Sequence, residues 1–388
     1  MPQRTKSRPR LRVIARREFA PEPLREEAAR ALNIDIEFDI VDTLDGLRRV
    51  VTTPGTFDVY HQWHTVDLVW TSKAIQPIAL DRLNCADDLR AIARPPLDAL
   101  CPPTVIDKLF VQPDGVLGSV PSSHVSVLPV MRGVDCFAYQ PSIRNVIGAD
   151  APESWGWLLD DRLRGQVGLI SDPVLGMIEA ALAMEAARNV SFGDISNLSI
   201  EEIDLVADTL IQLKKLGHFR GVWSNYEEAA RLMHRGVLVQ SMFTPGATRL
   251  RRDRMDIRIA NPIEGGRGWH SDLCISSATT GEALDAAYAY LNWWAGGWPT
   301  ACLSRQGYYA FLPDQARSYL TKEEWDYWYE GLPAARLLTD PFGEPAIPVG
   351  HIREGGSHAA RMGRVRVWNT FMDEHTYLVR RWREFLEA

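Results

Sequence analysis

Four consecutive residues, Trp269, His270, Ser271 and Asp272, set an aromatic face, an imidazole, a hydroxyl and a carboxylate side by side. They follow Gly265-Gly266-Arg267-Gly268 and precede the strand-like Leu273-Cys274-Ile275. Glycine lets a backbone come close to what it contacts, so the stretch 261–277, NPIEGGRGWHSDLCISS, reads as a hairpin whose tip is a binding edge. The plainer alternative is a hairpin carrying a surface tryptophan. A second group, His61-Gln62-Trp63-His64, has an HxxH spacing. In an extended loop, with no third ligand in view, that spacing falls short of a zinc site, so no metal and no cofactor are expected. Cys136 follows Asp135. A cleft cysteine beside a carboxylate is a candidate nucleophile, whereas free cysteine is most often a buried apolar side chain.

These groups need elements to hold them, and a chain of 388 residues exceeds the size at which one core stops growing, so two domains are expected. The composition, 46% hydrophobic and 24% charged, is that of a globular protein and not of a disordered or membrane-spanning one. A net charge of -7 argues against a nucleic-acid partner, which calls for a basic stripe. The five cysteines, Cys85, Cys101, Cys136, Cys274 and Cys302, show no CxxC spacing and indicate neither a zinc site nor a disulfide framework. The start of the chain is basic, with Arg4, Lys6, Arg8 and Arg10, and no apolar segment follows it. Location then turns on the natural start: periplasmic if a signal peptide has been removed, cytoplasmic if Met1 is native.

Hydrophobic periodicity supplies the framework. Residues 11–15 (LRVIA) read as a buried strand, 23–32 as a helix, 34–40 (IDIEFDI) as a second strand, 42–51 as a helix and 57–60 as a third strand ending at His61. Strand, helix, strand in that order is the βαβ unit of a parallel sheet. Residues 84–113 are irregular and proline-rich, 115–128 suggest a hairpin, and 128–140 form an extended run where the chain crosses into a second domain. There, 153–155 open a helix, 167–171 (VGLIS) are a strand, and Asp172-Pro173 is a helix start with a carboxylate at the N-cap. Ser199 to Glu202 is a capping box with Leu198 and Ile203 as a hydrophobic staple, and a second box spans Ser224 to Glu227. After a strand at 237–243, residues 257–261 return the chain to the first domain. Thr280 then caps a helix with Leu284, Tyr288 and Leu291 on one face, and a final amphipathic helix covers 369–386. The expected lobes are 10–130 plus 257–315, and 131–256 plus 316–388.

The order of several short motifs resembles the type II periplasmic binding proteins of ABC importers, nearest to their spermidine/putrescine-binding branch. The motifs are REFAP at 17–21, DVYHQWHTV at 58–66, LPVMRGVDCFAYQ at 128–140, SW at 154–155, VGLISD at 167–172, the strand before Phe243, GGRGWHSDLCIS at 265–276 and GYYAFLP at 307–313. The resemblance implies an α/β, two-lobe, periplasmic-binding-protein-like type II fold with a ligand enclosed between the lobes. Its implied partners are a small-molecule ligand and a membrane permease, the chain itself being a monomer that does not span the membrane. Two other functions remain open on the same fold: a cytoplasmic, thiaminase-like enzyme with Cys136 as nucleophile, and a ligand sensor.

In that branch aromatic faces hold a polyamine's methylenes and carboxylates take its ammonium groups. The resemblance places Glu18, Phe19, Trp269 and Tyr308 at ligand contacts, with Phe243 where the family has a tryptophan. Other positions depart from the pattern. The carboxylates expected after Asp172 are Pro173 and Gly176, the family's WG is Arg132-Gly133, the first-loop tryptophan is Arg16, and the acid after Trp269 has moved to Asp272, beside Ser271. With Trp63, His64 and Asp135 these complete the candidate site. Fewer carboxylates and two arginines suit a smaller zwitterionic or anionic ligand, such as an amino acid or aminophosphonate, better than a polyamine. For Arg16 and Arg132 the alternative is a structural ion pair.

Overall fold

A computed structural model describes residues 8–63, 65–94, 100–188 and 190–388; His64, one of the candidate contacts, lies outside the described residues. The chain divides into two compact units: unit 1 comprises residues 1–132, 270–325 and 339–344, and unit 2 comprises 133–269, 326–338 and 345–388. Two long strands, Leu128–Tyr139 and Gly266–Ser276, carry the chain from one unit to the other.

Unit 1 is built on the βαβ unit expected from the sequence. Strand Arg10–Ala15 pairs in parallel with Asp35–Ile40 on one side and with Val59–Gln62 on the other. Helix Glu22–Ala31 makes the connection, and Leu24 and Ala28 are its buried face. Leu11, Val13, Ile14 and Ala15 are all but inaccessible, as a central parallel strand covered on both faces requires. Residues 272–275 then pair antiparallel with Val59–Gln62.

Unit 2 repeats the theme. Strand Val167–Ile170 lies in parallel between Phe219–Trp223 and Val239–Met242. Helix Pro173–Arg188 starts where Asp172 Oδ1 accepts from the amides of Val174 and Leu175, the N-cap read from the sequence. It packs so closely that a Cβ at Gly176 would lie 2.1 Å from Trp382. Ser199 and Glu202 form both halves of a capping box at the next helix, Ile200–Lys215.

Several sequence expectations are corrected. The stretch 261–277 is no hairpin: Gly266–Ser276 is one continuous strand, buried throughout. Only Gly265 has a positive φ, +96°. The two glycines after it serve close approach, since a Cβ at Gly266 would lie 2.3 Å from Val134 and one at Gly268 2.6 Å from Val365. At the second expected box Asn225, not Ser224, is the N-cap, accepting from the amide of Glu228 at the start of helix Tyr226–His234, while the Glu228 carboxylate accepts from the Ser224 amide. Thr280 precedes helix Gly281–Ala295 without a side-chain cap bond. Residues 155–159 form a 3-10 turn, which Ser154 caps by accepting from the amide of Gly156. In place of a hairpin at 115–128, Leu117–Gly118 pairs with Phe110–Val111, and His124–Val125 pairs with Ile78–Ala79. Within the irregular 84–113 segment lies helix Ala86–Ile92. The last helix starts later, at His375, because Val365–Trp368 is drawn into a strand beside Gly266–Gly268 and the amide of Asn369 continues that pairing to the Gly268 carbonyl.

Candidate functional site

In unit 1 the first strand ends at Ala15 and the backbone turns at once into the 3-10 helix Arg17–Phe19, the amide of Phe19 donating to the Arg16 carbonyl. Parallel pairing of Ile14 with Tyr60 leaves His61, Gln62 and Trp63 running on beside this turn. Strand ends thus bring together residues far apart in sequence. The Arg16 guanidinium lies 4.4 Å from the centre of the Trp63 ring. Its Nε is 3.4 Å from a Glu18 carboxylate oxygen, and both side chains keep a partly accessible surface, 17% and 12%. Phe19 stacks on His61 at 4.6 Å and meets Tyr308 at 6.1 Å. Gln306 fixes the turn from the far side by donating to the Glu18 carbonyl at 2.7 Å.

Such a patch offers a guanidinium held over an indole, a carboxylate next to it and aromatic faces at its border. A guanidinium so placed keeps its planar fork of donors, which matches a carboxylate or phosphonate. The carboxylate alongside suits an ammonium group. Arg16, Glu18, Phe19, Trp63 and Tyr308 therefore come together within one unit.

The other unit 1 candidates are engaged elsewhere. Arg132 is buried, donates from Nη1 to the Leu100 carbonyl at 2.8 Å and lies 5.4 Å from the Phe311 ring. Ser271 and Asp272 belong to a buried polar network whose logic follows from strand alternation. His270 and Asp272 share one face: His270 Nδ1 is 3.0 Å from Asp272 Oδ2, and Gln62, directly across the pair of strands, donates to the same oxygen at 2.6 Å. Gln62 in turn accepts from the amide and hydroxyl of Thr65. On the opposite face Ser271 Oγ and His61 Nε2 are hydrogen-bonded at 3.1 Å. Burial, with the Arg16 charge adding to it, drives the His61 pKa down to about 3, so the imidazole is neutral. Among the described residues His61 Nδ1 is buried without a hydrogen-bond partner.

In unit 2, Trp269 is buried and lies over Gly133, where a Cβ would come within 2.6 Å of its ring. Gly133 is thus tied to Trp269 by sterics whatever residue precedes it. Phe243 meets Trp223 edge-on at 5.2 Å and stands at the start of helix Thr244–Arg252. Asp172 spends one oxygen on its helix cap. Asp135 pairs with Arg267, which is fully buried and reaches Asp135 Oδ2 at 3.4 Å, Glu179 Oε1 at 3.1 Å and Asn369 Oδ1 at 3.2 Å. Burial raises Glu179 to about 7 against the opposing pull of Arg267.

No local sequence signal pairs Arg267 with Glu179. In sequence, Arg267 looks like one more turn residue in a glycine run and Glu179 like a helix-surface acid. His61 was visible only as part of an HxxH spacing, and Gln306 carried no signal. Burial pushes the Cys136 thiol up to about 12, leaving it protonated and a poor nucleophile at neutral pH. Among the described residues no group of three or more His, Cys, Asp or Glu side chains is placed to hold a metal ion, and no helix is long and apolar enough to cross a membrane.

Neither a protein-family profile nor a curated protein sequence matches the chain. Solved structures do, over nearly the whole length. A putative spermidine/putrescine ABC transporter protein from Listeria monocytogenes is 14% identical, with 97% of this chain and 98% of that one covered at a TM-score of 0.67. The periplasmic binding protein MotA of A. tumefaciens B6, solved with glucopine, is 14% identical with 97% and 99% covered and a TM-score of 0.61. The spermidine/putrescine substrate-binding protein PotD of Streptococcus pneumoniae is 12% identical with 97% and 99% covered and a TM-score of 0.58. The chain therefore has the two-lobe α/β fold of the periplasmic binding proteins, as the motif order implied.

Proposed function

We propose that the chain is the solute-binding component of an ABC-type importer and that its ligand is a small zwitterion or anion, such as an amino acid or aminophosphonate, handed on to a membrane permease. The fold supports the solute-binding role, since one similar structure is named a substrate-binding protein and another a periplasmic binding protein. The ligand class rests on one observation: the Arg16 guanidinium lies over the Trp63 ring with Glu18 beside it. A polyamine would meet a cation there, and like-charge juxtaposition costs several kcal/mol. In this reading Arg16 takes the acid group, Glu18 the amine, and Phe19, Trp63 and Tyr308 the apolar part. Asp172, Phe243 and Trp269 of unit 2 are further proposed contacts. Ser271, Asp272, Arg132 and Asp135 position their neighbours, given the bonds that already occupy them. His64 keeps its place as a proposed contact on the sequence alone. Delivery to a permease places the mature chain in the periplasm.

The protonated state of Cys136 favours binding over catalysis. Thermal-shift screening of the intact chain against putrescine, spermidine, the amino acids and 2-aminoethylphosphonate tests the assignment. A rise in midpoint with a zwitterion, lost in Arg16→Ala, is expected. A rise with polyamines alone, retained in Arg16→Ala, would overturn the ligand class.

A further inference from the structure

Unit 2 holds a cavity of about 450 Å³ at the far end of the helix that Phe243 begins. Helix Thr244–Arg252 closes at Asp253, Arg254 takes a left-handed φ of +62°, and the chain enters the short strand Arg258–Ile259. Residues on this path form one wall, and the second comes from Leu337, Pro345, Ala346, Pro348 and His351. Four arginines line the space, Arg251, Arg252, Arg254 and Arg258, against a single carboxylate, Asp256. The chain as a whole carries a net charge of -7, so this cluster runs against the general balance. Cations in the last turn of a helix are ordinarily explained by the macrodipole. That accounts for Arg251 and Arg252 but not for Arg254 and Arg258, which lie beyond the helix. Arg251 is committed to an ion pair with Glu354. Arg258 reaches Asp256 only at 3.9 Å, with both side chains more than half exposed, and Arg254 makes no ion pair among the described residues. Between the arginines the floor is apolar: Ile257 and Ala346 are buried and Leu337 is half exposed.

We infer that this cavity is a second ligand site, independent of the solute contacts proposed above, and that it takes a small amphipathic anion. The acidic head, a carboxylate, sulfonate or phosphate, meets Arg254 and Arg258, and the apolar body lies on Ile257, Ala346 and Leu337. The volume falls in the range of small-molecule pockets. A left-handed backbone is uncommon for a residue other than glycine, and here it occurs at one of the two arginines assigned to the head group.

The test is a fluorescence titration of the intact chain with 1-anilinonaphthalene-8-sulfonate, with neutral N-phenyl-1-naphthylamine as the comparison dye. The double variant Arg254→Glu/Arg258→Glu and, separately, Leu337→Asp change exposed positions, and an unaltered thermal midpoint checks that each folds. The arginine change is expected to weaken the anionic dye by about tenfold or more, as loss of a charge-assisted contact predicts, and Leu337→Asp to weaken it comparably by setting a like charge against the sulfonate, while Arg16→Ala leaves its affinity unchanged. Anionic-dye affinity that survives both variants would overturn the site. Equal weakening by Arg16→Ala would place the dye at the solute contacts and also overturn it. If the neutral dye binds as tightly and the arginine variant affects both dyes alike, the assignment to an anion fails.

Discussion

Two halves of one strand, Gly266–Trp269 in unit 2 and His270–Ser276 in unit 1, bury polar groups in opposite ways. The first half commits a charge: Arg267, with no accessible surface, sits between Asp135 and Glu179. The second half holds a set of hydrogen bonds among His61, Ser271, Gln62, His270 and Asp272, in which His61 is kept neutral. A buried guanidinium is tolerated only while its carboxylates remain, so the unit 2 arrangement is vulnerable to loss of any one partner. The unit 1 arrangement distributes its cost over several bonds, each of modest net worth.

The largest effect is therefore expected from Arg267→Met. It removes the cation shared by two buried carboxylates and should cost about 3–5 kcal/mol in chemical denaturation, as breaking a buried ion pair does. A loss below about 1 kcal/mol would show that the charge network is not held as described. Next comes Gly133→Ala, whose new methyl would meet Trp269 at 2.6 Å. Overpacking of that kind costs about 1–3 kcal/mol, and an unchanged stability would mean that the Trp269 ring moves aside freely.

The pH dependences of the two halves have opposite signs. Glu179 has a folded pKa raised to about 7, so its contribution is fully present below the unfolded carboxylate value and is lost as pH rises through 7. His61 has a folded pKa lowered to about 3; its contribution is present above the unfolded histidine value and is lost as pH falls toward 3. Denaturation midpoints measured from pH 4 to pH 8.5 should lose their alkaline decline in Glu179→Gln and part of their acid decline in His61→Gln. If either variant keeps the wild-type profile, the corresponding half is misassigned. Ser271→Ala is the mildest change, removing one bond to His61, with an expected cost of about 1 kcal/mol. A cost as large as that of Arg267→Met would remove the contrast between the halves.

The same strand shows how far sequence reading reaches. Strand Arg10–Ala15, the helix after it and strand Asp35–Ile40 are legible because their apolar spacing is local, and the Asp172 and Ser199 caps because their partners lie within three residues. The 261–277 stretch reads as a hairpin because glycine marks either a turn or a close approach, and only the neighbours Val134 and Val365 decide between them. In the candidate site, Glu18 and Phe19 are named by the motif resemblance and Arg16 by its departure from it. Fixing their surroundings takes pairings such as His61 with Ser271, 210 positions apart, which no local pattern encodes.

Isothermal titration of the intact chain with 2-aminoethylphosphonate, the amino acids, putrescine and spermidine, repeated on Arg16→Ala, tests the ligand class most directly. The arrangement of Arg16, Trp63 and Glu18 predicts that a zwitterion binds and that Arg16→Ala weakens it by about tenfold or more, as loss of a charge-assisted contact requires. Saturable putrescine or spermidine binding that Arg16→Ala leaves intact, with no zwitterion bound, would contradict it.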